Sequence, residues 1–294
     1  MQNIARDITV VIASLGAPWV LDTINSLNRG TLRPARIIVC VPRDCELDLS
    51  DSENAELLHV EGKGQVLQRS EGFRLSETAY TLQLDDDILV DERCLENLRK
   101  CMDRGMNIAV APSLLNRDTG ISLYHLAPGS FWLRLYYWLI NGKRGFAEGR
   151  VTAAGTGFGI DAESREKKGC VETEWLPGGC VIHRTENLVT ENYFPFTGKA
   201  YAEDLLHSLY LRKKGITLYI CLEAKAYVEP YPGAGKMKLV DFLSYIRGEH
   251  QARKFYLQEA GKPLIRLYYY YICQMAGFLV ARIKQAILRE NSTV

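Results

Sequence analysis

A doubly wound, Rossmann-like α/β sheet is the fold this sequence predicts. Short β-branched runs alternate with helical spacing through the first 112 residues. The runs at 8–12 and 37–41 are almost wholly apolar, as strands buried on both faces are. Glycine, proline or acid punctuates their ends.

The elements follow in order. Residues 8–12, Ile-Thr-Val-Val-Ile, form a buried strand, with Ser14, Gly16 and Pro18 in the loop after it. Helical spacing over 20–27 ends at Asn28-Arg29-Gly30, and 37–41 is a second buried strand stopped by Pro42. These three pieces make a β-α-β unit. Residues 48–56 are acidic and predict a surface loop; 57–60 predict a third strand. A turn at Gly62-Lys63-Gly64 leads into a helix over 65–76. A fourth strand, 81–84, runs into Asp85-Asp86-Asp87. A helix over 91–104 places Leu95, Leu98 and Met102 on one face, and 108–111 is another strand.

The second half is less regular. Residues 131–140 are strongly aromatic, 151–159 are rich in small residues, and 175–183 contain Pro-Gly-Gly before an apolar run. A helix over 202–214 closes at Gly215, a strand covers 217–221, and 231–235 predict a flexible loop. From 238 to 290 the chain predicts mostly helix, broken at Gly261-Lys262-Pro263. The expected organisation is a body over 1–235, divided at 112/113, and a helical appendage over 236–294.

The 294 residues suffice for a sizeable core without disulfides. With 36 basic and 35 acidic residues, no whole-protein basic field for nucleic acid exists. The eight cysteines form no C-x-x-C pair, so zinc clusters and redox dithiols lack sequence support. Buried free thiols in a reducing cytosol are the expectation. No basic-then-apolar leader opens the chain, which predicts a cytoplasmic enzyme. Arg266, Gln274 and Arg282 interrupt the late apolar stretch 264–283, leaving it short of the roughly 20 residues a membrane span needs.

Three features could carry chemistry. Adjacent carboxylates after a buried strand repel one another unless a cation sits there, and strand ends are where such sheets bind ligands. Carboxylates at i and i+2, Asp85 and Asp87, can share a side and suit Mg²⁺ or Mn²⁺; a plain acidic loop or cap is the alternative. Glu203 and Asp204 open a helix, either as dipole-stabilised caps or as a rigidly held general base. The turn before Gln65 presents backbone N–H groups to an anion, with Lys63 and Arg69 adding charge, although the P-loop spacing is absent.

Together these features, in this order, resemble the family-two glycosyltransferases of GT-A fold, over roughly residues 8–219. The resemblance implies an inverting transferase with a central mostly parallel mixed sheet. It assigns Ala13, Ser14 and Leu15 to the base-side loop, and the segment Gly64 to Arg69, with Gln68, to the donor. The D-x-D motif maps to Asp85 and Asp87 around Asp86, with Asp87 the direct ligand of Mn²⁺ or Mg²⁺. Asp204 would be the base beside Glu203, and Trp175, Pro177, Gly178 and Gly179 the acceptor-side loop. Members often carry Asp-Asp-Gly-Ser after the second strand; here Val41-Pro42-Arg43-Asp44 stands instead and leaves the base open. The Gln-x-x-Arg-Trp motif of processive synthases is missing; residues 247–253 occupy a comparable region, either holding phosphate or forming a surface helix, with His250 either a further ligand or, the favoured reading, part of that helix surface.

The implied partners are a nucleotide-sugar donor and a glycan or lipid-linked acceptor. The apolar stretches 131–140 and 268–280 are either core helices or a membrane-surface face. In the second case the basic residues Lys236, Lys238, Arg247, Arg253, Lys254, Arg266, Arg282, Lys284 and Arg289 would meet anionic headgroups. A nucleotidyltransferase, which uses similar acids, and a non-catalytic sugar-binding relative are the competing readings.

Overall fold

The computed structural model describes residues 3–125, 129–163, 169–196, 199–229 and 237–291, with the backbone alone for 286–291. The predicted loop 231–235, Lys236 and the Arg289 side chain lie outside what is described.

The N-terminal half follows the expected order, with the two-residue strand β5 as an unexpected addition: β1 (Asn3–Ala13), α1 (Val20–Asn28), β2 (Leu32–Pro42), β3 (Ala55–Val60), α2 (Gln65–Arg74), β4 (Tyr80–Asp85), β5 (Leu89–Val90), α3 (Cys94–Met102) and β6 (Ile108–Asn116). The second half adds α4 (Phe131–Asn141), β7 (Cys170–Thr173), β8 (Cys180–Arg184), α5 (Glu203–Lys213), β9 (Thr217–Val228), α6 (Leu239–Glu259) and α7 (Ile265–Asn291). One sheet runs β3-β2-β1-β4-β8-β6-β9-β5, with β7 on β9. The strands β1 to β4, β6 and β9 share one direction, and β5, β7 and β8 oppose it. The mostly parallel mixed sheet is therefore as expected.

Period-two alternation explains why the strands are apolar throughout. Ile8, Val10 and Ile12 of β1 join Ile37, Val39 and Val41 of β2 in a core with Ile24 and Leu98 of α1 and α3. Val11, Ile38 and Cys40 point the other way, onto Phe73 of α2. Helices on both faces leave neither side of these strands in water. A further core joins α4, α5, α6 and α7 through residues such as Ile140, Leu206, Tyr256 and Tyr270. The C-terminal helices thus pack on the helix that begins with Glu203 and Asp204.

Four expectations need correction. Residues 55 and 56 belong to β3, and Leu49 and Ser52 are buried, so 48–56 is not simply a surface loop. Helix α3 starts three residues late, because the Asp91 carboxylate accepts from the Arg93 N–H and makes a turn first. Residues 247–253 are helical and expose Arg247 and Gln251, but they are not wholly a surface helix. Glu249 is buried in an ion pair with Arg253 at 2.6 Å, its carboxylate also accepts from Tyr245, and His250 rests against Tyr268 and Tyr271. Nor are the cysteines all free. Cys101 and Cys170 form a disulfide, their Cα atoms 6.7 Å apart. Cys170 lies directly opposite Cys221 on the β7–β9 ladder, and α3 brings Cys101 to the same place. That meeting depends on tertiary packing and has no spacing signature.

Candidate active site

The strand order 3-2-1-4 reverses direction at β1, and the loops leaving β1 and β4 diverge there. Open α/β sheets bind ligands at such a point. Ala13 and Asp85 are direct partners in the β1–β4 ladder, so Ser14 and Asp86 leave the sheet side by side. The Ser14 hydroxyl donates to Asp86 Oδ2 at 2.6 Å, and Thr23 Oγ1 donates to the Asp86 carbonyl at 2.9 Å. Burial, only partly offset by the Ser14 hydrogen bond, raises the Asp86 carboxyl above the ordinary range. Burial and the neighbouring Asp85 and Asp86 charges do the same to Asp87, which is nonetheless exposed at its residue surface. Leu15, in the same loop, is 68% exposed.

Helix α2 braces this end of the sheet. Gly64 precedes it at φ 152°, a value other residues rarely reach. Gln65 donates to Asp85 Oδ1 at 2.8 Å. Gln68 is buried, and its amide donates to the carbonyls of Ser14 at 2.6 Å and Cys40 at 2.7 Å. It ties the β1 and β2 ends together instead of opening toward a ligand. Arg69 is buried too. Its guanidinium donates to Asp85 and, at 3.1 Å, to Glu203 Oε2. Burial pulls its pKa down, but the two carboxylates outweigh that and hold it above the ordinary guanidinium value. Lys63 stands apart, exposed and 3.4 Å from Asp44.

Glu203 and Asp204 approach from the other side. Glu203 accepts from Arg69 and from the Tyr193 hydroxyl. Asp204 is desolvated and lies near the Glu203 charge; its carboxyl is pushed up to about 7. Ala202, just before this pair, sits at φ 51°, the one non-glycine with positive φ among the described residues. Such strain costs about 1–3 kcal/mol and persists where surrounding structure enforces it. The glycines of the preceding loop permit close approach. A Cβ on Gly178 would stand 3.1 Å from Glu203 Oε2, and one on Gly179 would collide with Ile88 and stand 3.1 Å from Asp85 Oδ2. The Gly179 carbonyl accepts from the Asp85 N–H at 2.8 Å.

The structure therefore brings Ser14, Gln68, Arg69, Asp85, Asp86, Gly178, Gly179, Glu203 and Asp204 into one connected cluster. Trp175 and Pro177 are placed differently. Trp175 is buried, donates to the Phe158 carbonyl at 2.9 Å, and lines a small internal cavity with Pro177 and Tyr124. Tyr193, His183 and His207 were not among the sequence candidates. His207 stacks on Tyr193 and lies against His183, and burial keeps both imidazoles neutral. The spacing of Glu203 and His207, one helical turn, was the available signal; nothing local marked Tyr193.

On chemical grounds the acid run suits a hard cation. Burial first, and then the neighbouring carboxylates, raise the Asp86 and Asp87 carboxyls, a penalty that bound positive charge relieves. Asp85 has one oxygen occupied by Arg69 and Gln65. Among the described residues the run does not converge as three ligands on one point, unlike Cys101, Cys170 and Cys221 or His125, Asp161 and Glu163. A small hard cation binds through few carboxylates and completes its shell with water and phosphate oxygens, and this donor set fits that pattern.

The sheet order and the crevice define an α/β fold of the GT-A type. The chain is similar to a solved structure of GalNAc-T7 with UDP, GalNAc and Mn²⁺, at 14% identity and a TM-score of 0.55. That match covers 85% of this chain and 50% of the other, so the chain spans half the length of that protein. S. aureus TarS 1-349 with UDP-GlcNAc aligns at 13% identity and TM-score 0.46, covering 83% and 66%. The same TarS fragment alone aligns at 15% and 0.48, covering 89% and 70%. No protein-family profile and no curated protein matches the chain.

Proposed function

We propose that this protein is an inverting glycosyltransferase that moves a sugar from a nucleoside-diphosphate sugar to a hydroxyl of a glycan or lipid-linked acceptor. The observation that carries the reading is the connection made by Arg69, which links the acids of the switch point to the pair opening α5. Donor-side and acceptor-side groups then share one crevice. A cytoplasmic location at the inner face of a membrane goes with this reading.

In the proposed mechanism Asp204 takes the proton from the acceptor hydroxyl as it attacks the anomeric carbon from the face opposite the leaving group. Its raised pKa makes it a competent base near neutrality, while Glu203 beside it is fixed by Arg69 and Tyr193. Ser14 and Gln68 hold the β1 loop on the donor side. Asp87 and the second oxygen of Asp85 would hold Mn²⁺ or Mg²⁺, which when bound neutralises charge on a departing diphosphate. Pro42, Arg43, Asp44, Gly62 and Lys63 line an open cleft beside the ends of β2 and β3 and are the residues proposed to meet the base.

Screening nucleotide sugars with Mn²⁺ for release of nucleoside diphosphate tests the reading. Pyrophosphate release from a nucleoside triphosphate and a sugar phosphate would establish the nucleotidyltransferase instead. Asp87→Ala is expected to weaken metal-dependent donor binding more than tenfold, about 1.4 kcal/mol. Titration calorimetry with and without Mn²⁺ checks this; unchanged binding in both arms removes Asp87 from that role.

A further inference from the structure

Helices α4 and α7 carry apolar stripes that face away from every core. On α4 the exposed residues are Phe131, Trp132, Leu135 and Trp138, spaced along one helical face. Phe131 is 72% and Trp132 74% exposed. On α7, Ile265, Tyr268, Ile272, Leu279 and Ile283 form a second outward stripe, while Leu267, Tyr270, Tyr271 and Phe278 fill the inner face. Both helices are thus apolar on two sides, and only one side is used for packing.

The two stripes adjoin. Arg266 of α7 donates to the carbonyls of Trp138 at 2.7 Å and Leu139 at 2.8 Å, and its guanidinium lies over the Trp138 ring. Charge is one-sided here. Residues 131–146 and 261–289 contain no Asp or Glu. Arg134, Lys143, Arg144, Arg282 and Lys284 are exposed on these segments. No helix among the described residues is long and apolar enough to cross a membrane.

We infer that this α4–α7 face docks in the plane of an anionic lipid bilayer, with the aromatic and aliphatic stripes in the interface and the cations on the headgroups. Tryptophan and tyrosine beside aliphatic residues suit that boundary, where one end of the ring is apolar and the other wet. A second copy is the poorer occupant, because a self-complementary contact would set one cationic rim against another. The helices also share a core with α5, so docking presents the Glu203–Asp204 end of the crevice from a fixed support. This is the membrane-facing half of the sequence expectation, narrowed to two helices. Lys238, just before α6, and Arg247, on α6, lie outside the face, and Arg253 and Arg266 are committed to bonds within the protein.

Flotation of the full chain with vesicles tests the inference and needs no activity, so its outcome is separate from that of the transferase reading. The chain is expected to float with phosphatidylglycerol–phosphatidylcholine vesicles and only weakly with phosphatidylcholine alone. Arg134→Ala, Arg282→Ala and Lys284→Ala should each weaken binding about five-fold. The double variant Trp132→Glu/Ile272→Glu should stay with the unbound fraction. Both positions are exposed, and an unchanged circular dichroism spectrum confirms the fold. A blue shift of tryptophan emission on anionic vesicles, absent in Trp132→Phe/Trp138→Phe, is the second readout. Failure to float with anionic vesicles overturns the inference. So does a dimer by light scattering that the double variant disperses, with no vesicle binding.

Discussion

Asp204→Asn is expected to lower sugar transfer about 10³-fold, within the range that a positioned base contributes, while donor affinity stays unchanged. The asparagine keeps the shape and still accepts from the Leu205 N–H, which Asp204 Oδ1 does at 2.9 Å. It cannot take a proton. Initial rates together with donor titration separate the two effects, and an equal loss of donor affinity would sink the assignment. The wild-type pH profile should carry an acid limb near the value of about 7 to which burial and Glu203 push this carboxyl, and the limb should vanish in the variant. Stability should move in the opposite direction. A carboxyl whose folded pKa is raised contributes stability that is fully present below its unfolded value and lost as pH climbs through its folded one. Above neutrality the wild type therefore keeps a buried anion at some cost, and Asp204→Asn should melt a few degrees higher there. A base held against its own solvation preference is the usual pattern of a site that trades stability for reactivity.

How much of this was legible in the sequence depends on which interactions are local. Strands β1 and β2 announced themselves, because residues apolar on both faces leave a near-continuous β-branched run such as Ile8 to Ile12. Helix α5 was legible from its leucines and from Gly215, which takes the left-handed turn at φ 81° just past its end. The short strands β5 and β7 were not, since two or four residues give period-two alternation nothing to repeat. Strand β8 was visible as an apolar run, but its place between β4 and β6, antiparallel to both, is a matter of topology. The site divides in the same way. The acid run and the Glu203–Asp204 pair are contiguous and stood out. Their connection through Arg69 spans 134 residues, and Tyr193 reaches Glu203 from a segment without regular structure. The donor role expected of Arg69 and Gln68 came from order along the chain. Burial shows both side chains facing inward, as braces.

Arg69→Met is expected to be the most destabilising of the substitutions considered, at about 3–5 kcal/mol. Arg69 is buried with its side chain 3% exposed, and it is the shared partner of Asp85 and Glu203. Removing it leaves two carboxylates, one of them buried, without the charge that offsets their desolvation. Arg69→Lys should recover only part of the loss, because one ammonium cannot reproduce a planar fork that serves two acids at once. The exposed pair Arg36–Glu56, 2.6 Å apart, supplies the contrast: Arg36→Met should cost under about 1 kcal/mol. Urea midpoints at constant slope measure both. A midpoint for Arg69→Met no lower than that of Arg36→Met would show that the buried triad is not what holds the crevice together. The triple variant Arg69→Met/Asp85→Asn/Glu203→Gln carries the argument further. It removes all three charges together, so stability should return toward wild type while transfer stays absent. The fold would then be shown to need the balance of these charges, and the proposed chemistry to need the charges themselves.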